Sequence, residues 1–476
     1  MRAEPQETAY SGDPQIARIA NWLGDQVAPA AFPAHVVRWR NQRWARAVGL
    51  DGLDHAAWLD HFARFAPLAG NLPQPLALRY HGHQFGVYNP ELGDGRGFLF
   101  AQLRDGAGRL LDLGTKGSGQ TPWSRAGDGR LTLKGGVREV LATAMLEALG
   151  VPTSRSFSLV ETGEALQRGD EPSPTRSAVL TRLSHSHIRF GSFQRHAFNE
   201  RPDLIRTLLE HVIETYYPQL GNAPDPAMAV LAAVAERAAR LTARWMAAGF
   251  VHGVLNTDNM NITGESFDYG PYRFLPRNDP NFTAAYFDES GLYSFGRQPE
   301  AVFWNLRQLA GTFALVTETE PLVEVLNGFG ALYRDALRAA MLDRLGVRAR
   351  DPEADVGLVN AAFKALAEGG EPLRWEPFFF DWFGGRASEQ RALAGPRAAH
   401  YGGEAFADFR ARLAEFEPDR PERLAQPYFA AADPEELLYD QIEALWAPIA
   451  EADDWSAFEA KLASIDRARI AWGFAG

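Results

Sequence analysis

The spacing of hydrophobic and polar positions changes near residues 70 and 200, and each change predicts a different kind of structure. Residues 13–70 read as helices and loops, with Trp39, Trp44 and Trp58 as packing elements, behind a loose tail of about a dozen residues. From 71 to about 190, short β-like runs alternate with Gly-rich turns: LALRY at 76–80, GFLFAQLRD at 97–105 and RLLDLGTKG at 109–117. DGAG at 105–108 joins the last two as a hairpin. A helix runs from Gly136 to about Leu149, with Val140, Leu141, Met145, Leu146 and Leu149 at helical spacing and Gly150 and Pro152 as stop signals. Strand-like runs return as SFSLVE at 156–161 and SAVLTRL at 177–183. After about 198 the period becomes helical, over 202–220, 226–248 and most of the chain from 299 onward. A polar, non-helical segment at 252–274 interrupts it.

This order predicts an α+β fold in which a strand-rich part with one internal helix precedes a larger helical part. The expected units are 1–70 (tail and helical segment), 71–198 (nucleotide-binding N-lobe), 199–320 (C-lobe core) and 321–476 (helical extension). A length of 476 residues with 46% hydrophobic and 23% charged residues suits such a large core. A net charge of −12 argues against broad binding to nucleic acid or anionic membranes. There is no cysteine, which excludes disulfides, thiolate catalysis and Cys-ligated metal sites. The N-terminal run lacks an apolar signal region, Glu4 and Glu7 do not suit a transit peptide, and no stretch approaches the roughly 20 apolar residues of a membrane span. A cytoplasmic monomer is expected.

Candidate chemistry lies at four places. Gly93-Asp94-Gly95-Arg96-Gly97 precedes a strand; glycine lets backbone N–H groups approach a phosphate, although the same run serves as an ordinary turn. It is neither a Walker A loop nor a dinucleotide loop. Lys116 ends the second strand of the hairpin and Glu139 lies in the helix that follows, the order in which protein kinases hold a phosphate-binding lysine. Asn259 and Asp268 offer hard oxygen ligands for one Mg²⁺, Asp258 offers a proton acceptor, and Asp268-Tyr269-Gly270 resembles the kinase Asp-Phe-Gly element. Arg182 and Arg189 flank SHSHI, near where a kinase hinge falls, and their forks suit phosphate oxygens. The histidines of HGH (81–83) and SHSH (184–187) are expected to hydrogen-bond the backbone rather than hold a metal.

At HGHQFGVYNPELGDGRG (81–97), LGTKGSGQTPWSRAGDGRLTLKGGVRE (113–139), LTRLSHSHIRFGSF (180–193) and HGVLNTDNMNITGESFDYGPY (252–272), the sequence resembles the selenoprotein O family of kinase-fold protein adenylyltransferases. The resemblance covers roughly residues 15–310; after about 320 the match is poor. It implies a protein-kinase-like two-lobed fold holding ATP reversed, so that the α-phosphate is presented for attack. By resemblance Gly93, Gly95, Arg96, Asp128 and Gly129 contact nucleotide, and Lys116, oriented by Glu139, binds phosphate. Arg182 and Arg189 hold the terminal phosphates, Asp258 accepts the proton, and Asn259 and Asp268 bind Mg²⁺ or Mn²⁺. The implied reaction moves AMP from ATP to Ser, Thr or Tyr hydroxyls of protein substrates. Uridylyl transfer from UTP with Mn²⁺, γ-phosphoryl transfer and a nucleotide-binding pseudokinase scaffold are the alternatives. Two departures stand out: Asp258 and Asn259 are adjacent, where an ordinary kinase separates base and metal ligand by five positions, and no redox-active cysteine pair is possible, Ala284 standing about where one partner falls.

Overall fold

The computed structural model describes residues 8–369 and 373–474 of the chain. Among them, ten strands precede residue 185: β1 (Gly24–Gln26), β2 (Val36–Arg40), β3 (Leu76–Leu78), β4 (Gly82–Gln84), β5 (Val87–Asn89), β6 (Leu99–Arg104), β7 (Leu110–Lys116), β8 (Leu131–Thr132), β9 (Arg155–Leu166) and β10 (Thr175–Ser184). The main sheet has the order β1-β3-β6-β7-β10-β9-β2, with β8 beside β10, and β4–β5 form a separate hairpin. Its pairings are antiparallel, and β6 and β7 form the hairpin expected around Asp105–Gly108.

The first seventy residues differ from the sequence expectation. Besides helices they supply β1 and β2, which sit at opposite ends of the sheet order. Residues 1–7 of the expected tail lie outside the described residues, but from Tyr10 onward the chain is held: the Tyr10 hydroxyl donates to the Ala69 carbonyl and Arg104 N–H to the Ser11 carbonyl, both at 3.0 Å. Trp44 and Trp58 are buried as anticipated, with Phe62, Phe100 and Phe157 around them.

The internal helix runs from Leu133 to Ala148 and starts three residues earlier than predicted. Thr132 caps it, its hydroxyl accepting from Gly135 N–H at 3.1 Å, so the Gly135-Gly136 pair lies inside the first turn and not before it. Gly136 packs so closely on the sheet that a Cβ there would lie 2.5 Å from Leu159 Cδ1. Val137, Val140, Leu141 and Leu146 are fully buried beneath it, each contributing roughly 1.5–3 kcal/mol.

Beyond residue 200 the structure is helical, with Pro202–Tyr216, Pro226–Ala247, Gln298–Phe313 and Thr319–Leu345 as main elements. The polar segment at 252–274 contains one short turn, Thr257–Asn259, and ends in a strand, Arg273–Phe274, paired with Phe250–Val251. The last helix, Ser456–Trp472, returns to pack along Leu133–Ala148. Ahead of it, Glu443 on Tyr439–Ala452 meets Lys134 at 2.7 Å, and Arg176 on β10 reaches Asp453 at 2.7 Å. Among the described residues no helix is long and apolar enough to cross a membrane.

Candidate active site

A cavity of about 760 Å³ opens between the β6–β7 face of the sheet and the polar segment at 252–274. Gly93, Gly95, Arg96, Lys116, Asp128, Gly129, Arg182, Arg189, Asp258, Asn259 and Asp268 all line it. Glu139 does not line it and stands behind Lys116.

The glycine run is shaped by contact as well as by conformation. A Cβ on Gly97 would lie 2.1 Å from the Thr115 carbonyl oxygen, and one on Gly93 2.4 Å from the Trp123 ring. Asp94, between two glycines, is buried and points inward, accepting from Leu78 N–H at 3.1 Å through Oδ2 and from Arg189 at 3.1 Å through Oδ1. At the far edge, Gly129 takes a left-handed φ of 70° against the Gly119 backbone. The Asp128 carboxylate is committed to Arg168 at 2.8 Å.

Lys116 ends β7 and is 4% exposed. Its ammonium contacts the Glu139 carboxylate and lies 3.4 Å from Asp268 Oδ1. Burial lowers its pKa, and the two carboxylates oppose that shift. Arg182 lies within β10, opposite Gly114 of β7, rather than in a hinge beyond the sheet. From there it donates to Asp268 Oδ1 at 2.8 Å.

Arg189 sits at the start of the Phe190–Phe198 helix, fixed because residues 188–190 pair with 260–262: Phe190 N–H donates to the Met260 carbonyl and Ile262 N–H to the Ile188 carbonyl, both at 2.9 Å. Its guanidinium lies between the rings of Tyr80 and Phe267, at 4.5 and 4.8 Å. It donates to Asp268 Oδ2 at 2.9 Å, to the Asp258 carbonyl at 2.8 Å and to Asp94. Asp268 itself adopts a left-handed φ of 66°, which turns its carboxylate into this group of cations. Burial alone would raise its pKa; Arg182, Lys116 and Arg189 outweigh that and hold it well below the usual carboxylate range.

Asp258 is the contrasting acid. Its Oδ1 is buried with no hydrogen-bond partner among the described residues, and burial, only partly offset by Arg189, pushes its pKa up to about 6. Asn259 donates through Nδ2 to the Val254 carbonyl at 2.9 Å, which leaves its amide oxygen as the side-chain ligand. The amide oxygen of Asn259 and the carboxylate of Asp268 are hard oxygen donors of the kind that suits a divalent cation.

The hairpin β4–β5 braces the turn that carries Asp258: His83 N–H donates to Thr257 Oγ1 at 2.7 Å and Phe85 N–H to Asn256 Oδ1 at 3.1 Å. The clustered histidines bond mainly to side chains and not, as expected, to the backbone: His81 to Tyr88, His83 to Gln194, and His187 to Ser184 and Asp112. Among the described residues no three His, Cys, Asp or Glu side chains group as a metal site. Sequence reasoning treated Asp94 only as a member of the glycine run. The signal available was an acid inside a glycine run next to a strand, which once buried has to be paired with a cation.

The family model described as "Protein adenylyltransferase SelO" matches residues 7–466. Relatives named "Protein nucleotidyltransferase YdiU" include one from Gloeobacter violaceus, 47% identical over 457 residues, covering 94% of this chain and 93% of the relative. Another, from Synechococcus elongatus, is 44% identical over 474 residues, covering 94% of each chain. A third, from Synechocystis, is 44% identical over 467 residues, covering 94% of this chain and 96% of the relative. These matches correct one expectation: likeness to the family does not end near residue 310 but extends into the C-terminal helices, to residue 466. A match over nearly the whole length, at such identity, makes this enzyme a nucleotidyltransferase, and the chain belongs to the SelO protein adenylyltransferase family.

Proposed function

We propose that this enzyme moves AMP from ATP to Ser, Thr or Tyr hydroxyls of protein substrates and releases pyrophosphate, acting as a cytoplasmic monomer with Mg²⁺ or Mn²⁺. The fold is read as two-lobed and protein-kinase-like, with residues 71–198 as N-lobe, 199–320 as C-lobe core and 321–476 as extension. The observation that carries the reading is Asp268, whose single carboxylate faces three buried cations, Lys116, Arg182 and Arg189. Glu139 and Asp94 hold Lys116 and Arg189 from behind, and the side of all three cations that faces Asp268 suits an anion of higher charge.

A polyphosphate entering the cavity takes over these cations and frees Asp268. The glycine run Gly93–Gly97, with Arg96, Asp128 and Gly129 at the rim, closes over the nucleotide. A divalent cation held by Asn259 and Asp268 would supply charge neutralisation at the phosphates. The acceptor oxygen attacks the α-phosphorus, the bond to the α–β bridging oxygen breaks, and the electron pair leaves with pyrophosphate. Lys116, Arg182 and Arg189 stabilise the charge that develops there. Asp258, buried and unpaired at Oδ1, takes the acceptor's proton.

The test supplies ATP labelled at the α- or γ-phosphate, or UTP labelled at the α-phosphate, to the purified chain with Mg²⁺ or Mn²⁺. Label on protein from α-ATP alone is expected, and Asp268→Asn should abolish it while still binding ATP when metal is removed. Label from γ-ATP would make the enzyme a kinase, label mainly from UTP a uridylyltransferase. ATP binding with no transfer would favour a pseudokinase scaffold.

A further inference from the structure

A second groove of about 380 Å³ meets the nucleotide cavity along Arg96, Lys116, Gly270 and Pro271, and runs outward between the Leu133–Ala148 helix and the segment following Asp268. Arg138 and Arg273 line it, and neither has a carboxylate within ion-pairing distance among the described residues. Arg138 donates to the Gly270 and Tyr272 carbonyls at 3.4 and 3.3 Å, and Arg273 to the Pro271 and Tyr272 carbonyls at 3.3 and 3.2 Å. Both guanidinium groups flank the Tyr439 ring, at 6.0 and 3.8 Å. Burial, followed by the neighbouring Arg138, lowers the pKa of Arg273, and Tyr439, Tyr272 and Glu443 offset this only in part.

The outer lip of the groove is aromatic. Tyr286 is 82% exposed and Phe287 48%, with Phe287 resting on Phe85 of the hairpin that braces the Asp258 turn. Tyr and Arg, which recur in protein-binding hot spots, both line this groove. Asp170, Glu171 and Glu443 also line the groove, but its Lys and Arg side chains outnumber its acids, and Arg138 and Arg273 form no ion pair among the described residues, so the groove favours added negative charge.

We infer that this groove docks the acceptor protein, through a segment that carries Asp or Glu beside an apolar residue and close to the hydroxyl to be modified. The acidic side chains meet Arg138 and Arg273, and the apolar residue packs on Tyr286. The inference rests on the proposed transfer reaction for its purpose, but docking is measurable without it. Arg138 ties the helix to the backbone after Asp268, whereas Arg273 bonds only the carbonyls of the two residues before it, so Arg273 and Tyr286 are the positions to perturb.

The experiment uses the full chain and three fluorescent peptides with the same acceptor and apolar residue, flanked by Asp/Glu, by Asn/Gln or by Lys. Anisotropy without nucleotide is expected to show the acidic peptide binding roughly tenfold more tightly than the neutral one, with the gap closing as salt rises. Arg273→Gln should remove that preference, and Tyr286→Ser should weaken both peptides, with ATP binding unchanged in each. With α-labelled ATP the same variants should raise KM for the acidic peptide and leave KM for ATP alone. Equal binding of the acidic and neutral peptides would overturn the inference. So would a loss of ATP binding in Arg273→Gln, which would assign the groove to the nucleotide, or displacement of the peptide by a short RNA at lower concentration than by unlabelled acidic peptide. Peptide binding with no transfer of α-label would leave the docking groove standing and count against the reaction instead.

Discussion

Lys116 and Glu139 are 4% and 1% exposed, so neither can turn to solvent if the other is removed. Lys116→Met leaves the Glu139 carboxylate buried without its cation, a loss of about 3–5 kcal/mol. Glu139→Gln is expected at the lower end, ~3 kcal/mol, because Asp268 Oδ1 still faces Lys116 at 3.4 Å. The double variant removes both charges while keeping similar volume, and should cost only ~1 kcal/mol. Urea denaturation of the four proteins closes the cycle, and the expected coupling is on the order of 4 kcal/mol or more. Transfer of α-label should be lost in all three variants, including the well-folded double. Single costs that add to the double within about 0.5 kcal/mol would refute the buried-pair reasoning. Full transfer by the double variant would refute the phosphate role of Lys116.

Two further outcomes test the surroundings. A Cβ at position 114 would lie 2.1 Å from His187 Nε2, so Gly114→Ala must push the turn that leads to Arg189; about 1–3 kcal/mol of stability and most of the ATP affinity should go, measured by denaturation and calorimetry, and unchanged ATP binding would show that the turn yields without moving Arg189. His211 is buried with Nε2 unpaired among the described residues, and burial lowers its pKa from 6.5 to about 4. The unfolded chain therefore binds this proton before the folded one does, so the stability involved is full above pH 6.5 and is lost as pH falls towards 4. His211→Phe should flatten the decline between denaturation curves taken at pH 7 and pH 5; identical declines would remove His211 from the account.

The hairpin at 97–117, the helix before Gly150 and the long helices after 200 were legible because each rests on local signals: a Gly turn, a 3.6-residue period, a stop. β1 and β2 were not, because GDQ and VVRWR carry little pattern of their own and become strands only by pairing with residues distant in the chain, β3 and β9. The early start of the Leu133–Ala148 helix was hidden by Gly135-Gly136, which locally favour a break and are kept helical by the Thr132 cap and by close packing on Leu159. At the site, every residue expected to meet nucleotide or metal lines one cavity, since each lay in a run with a distinctive chemical type. The partnership between Asp94 and Arg189 was not visible: it depends on bringing the glycine run against a helix start almost a hundred residues later.

The return of the Ser456–Trp472 helix onto Leu133–Ala148 has a consequence for biosynthesis. The helix that packs on Leu133–Ala148 is translated about three hundred residues after Glu139 itself. At ~5–20 residues per second a nascent chain spends roughly 15–60 s with its glycine run, Lys116 and Glu139 already made and this helix still missing. During that interval the face of the Leu133–Ala148 helix that Ser456–Trp472 covers in the folded chain has no such partner.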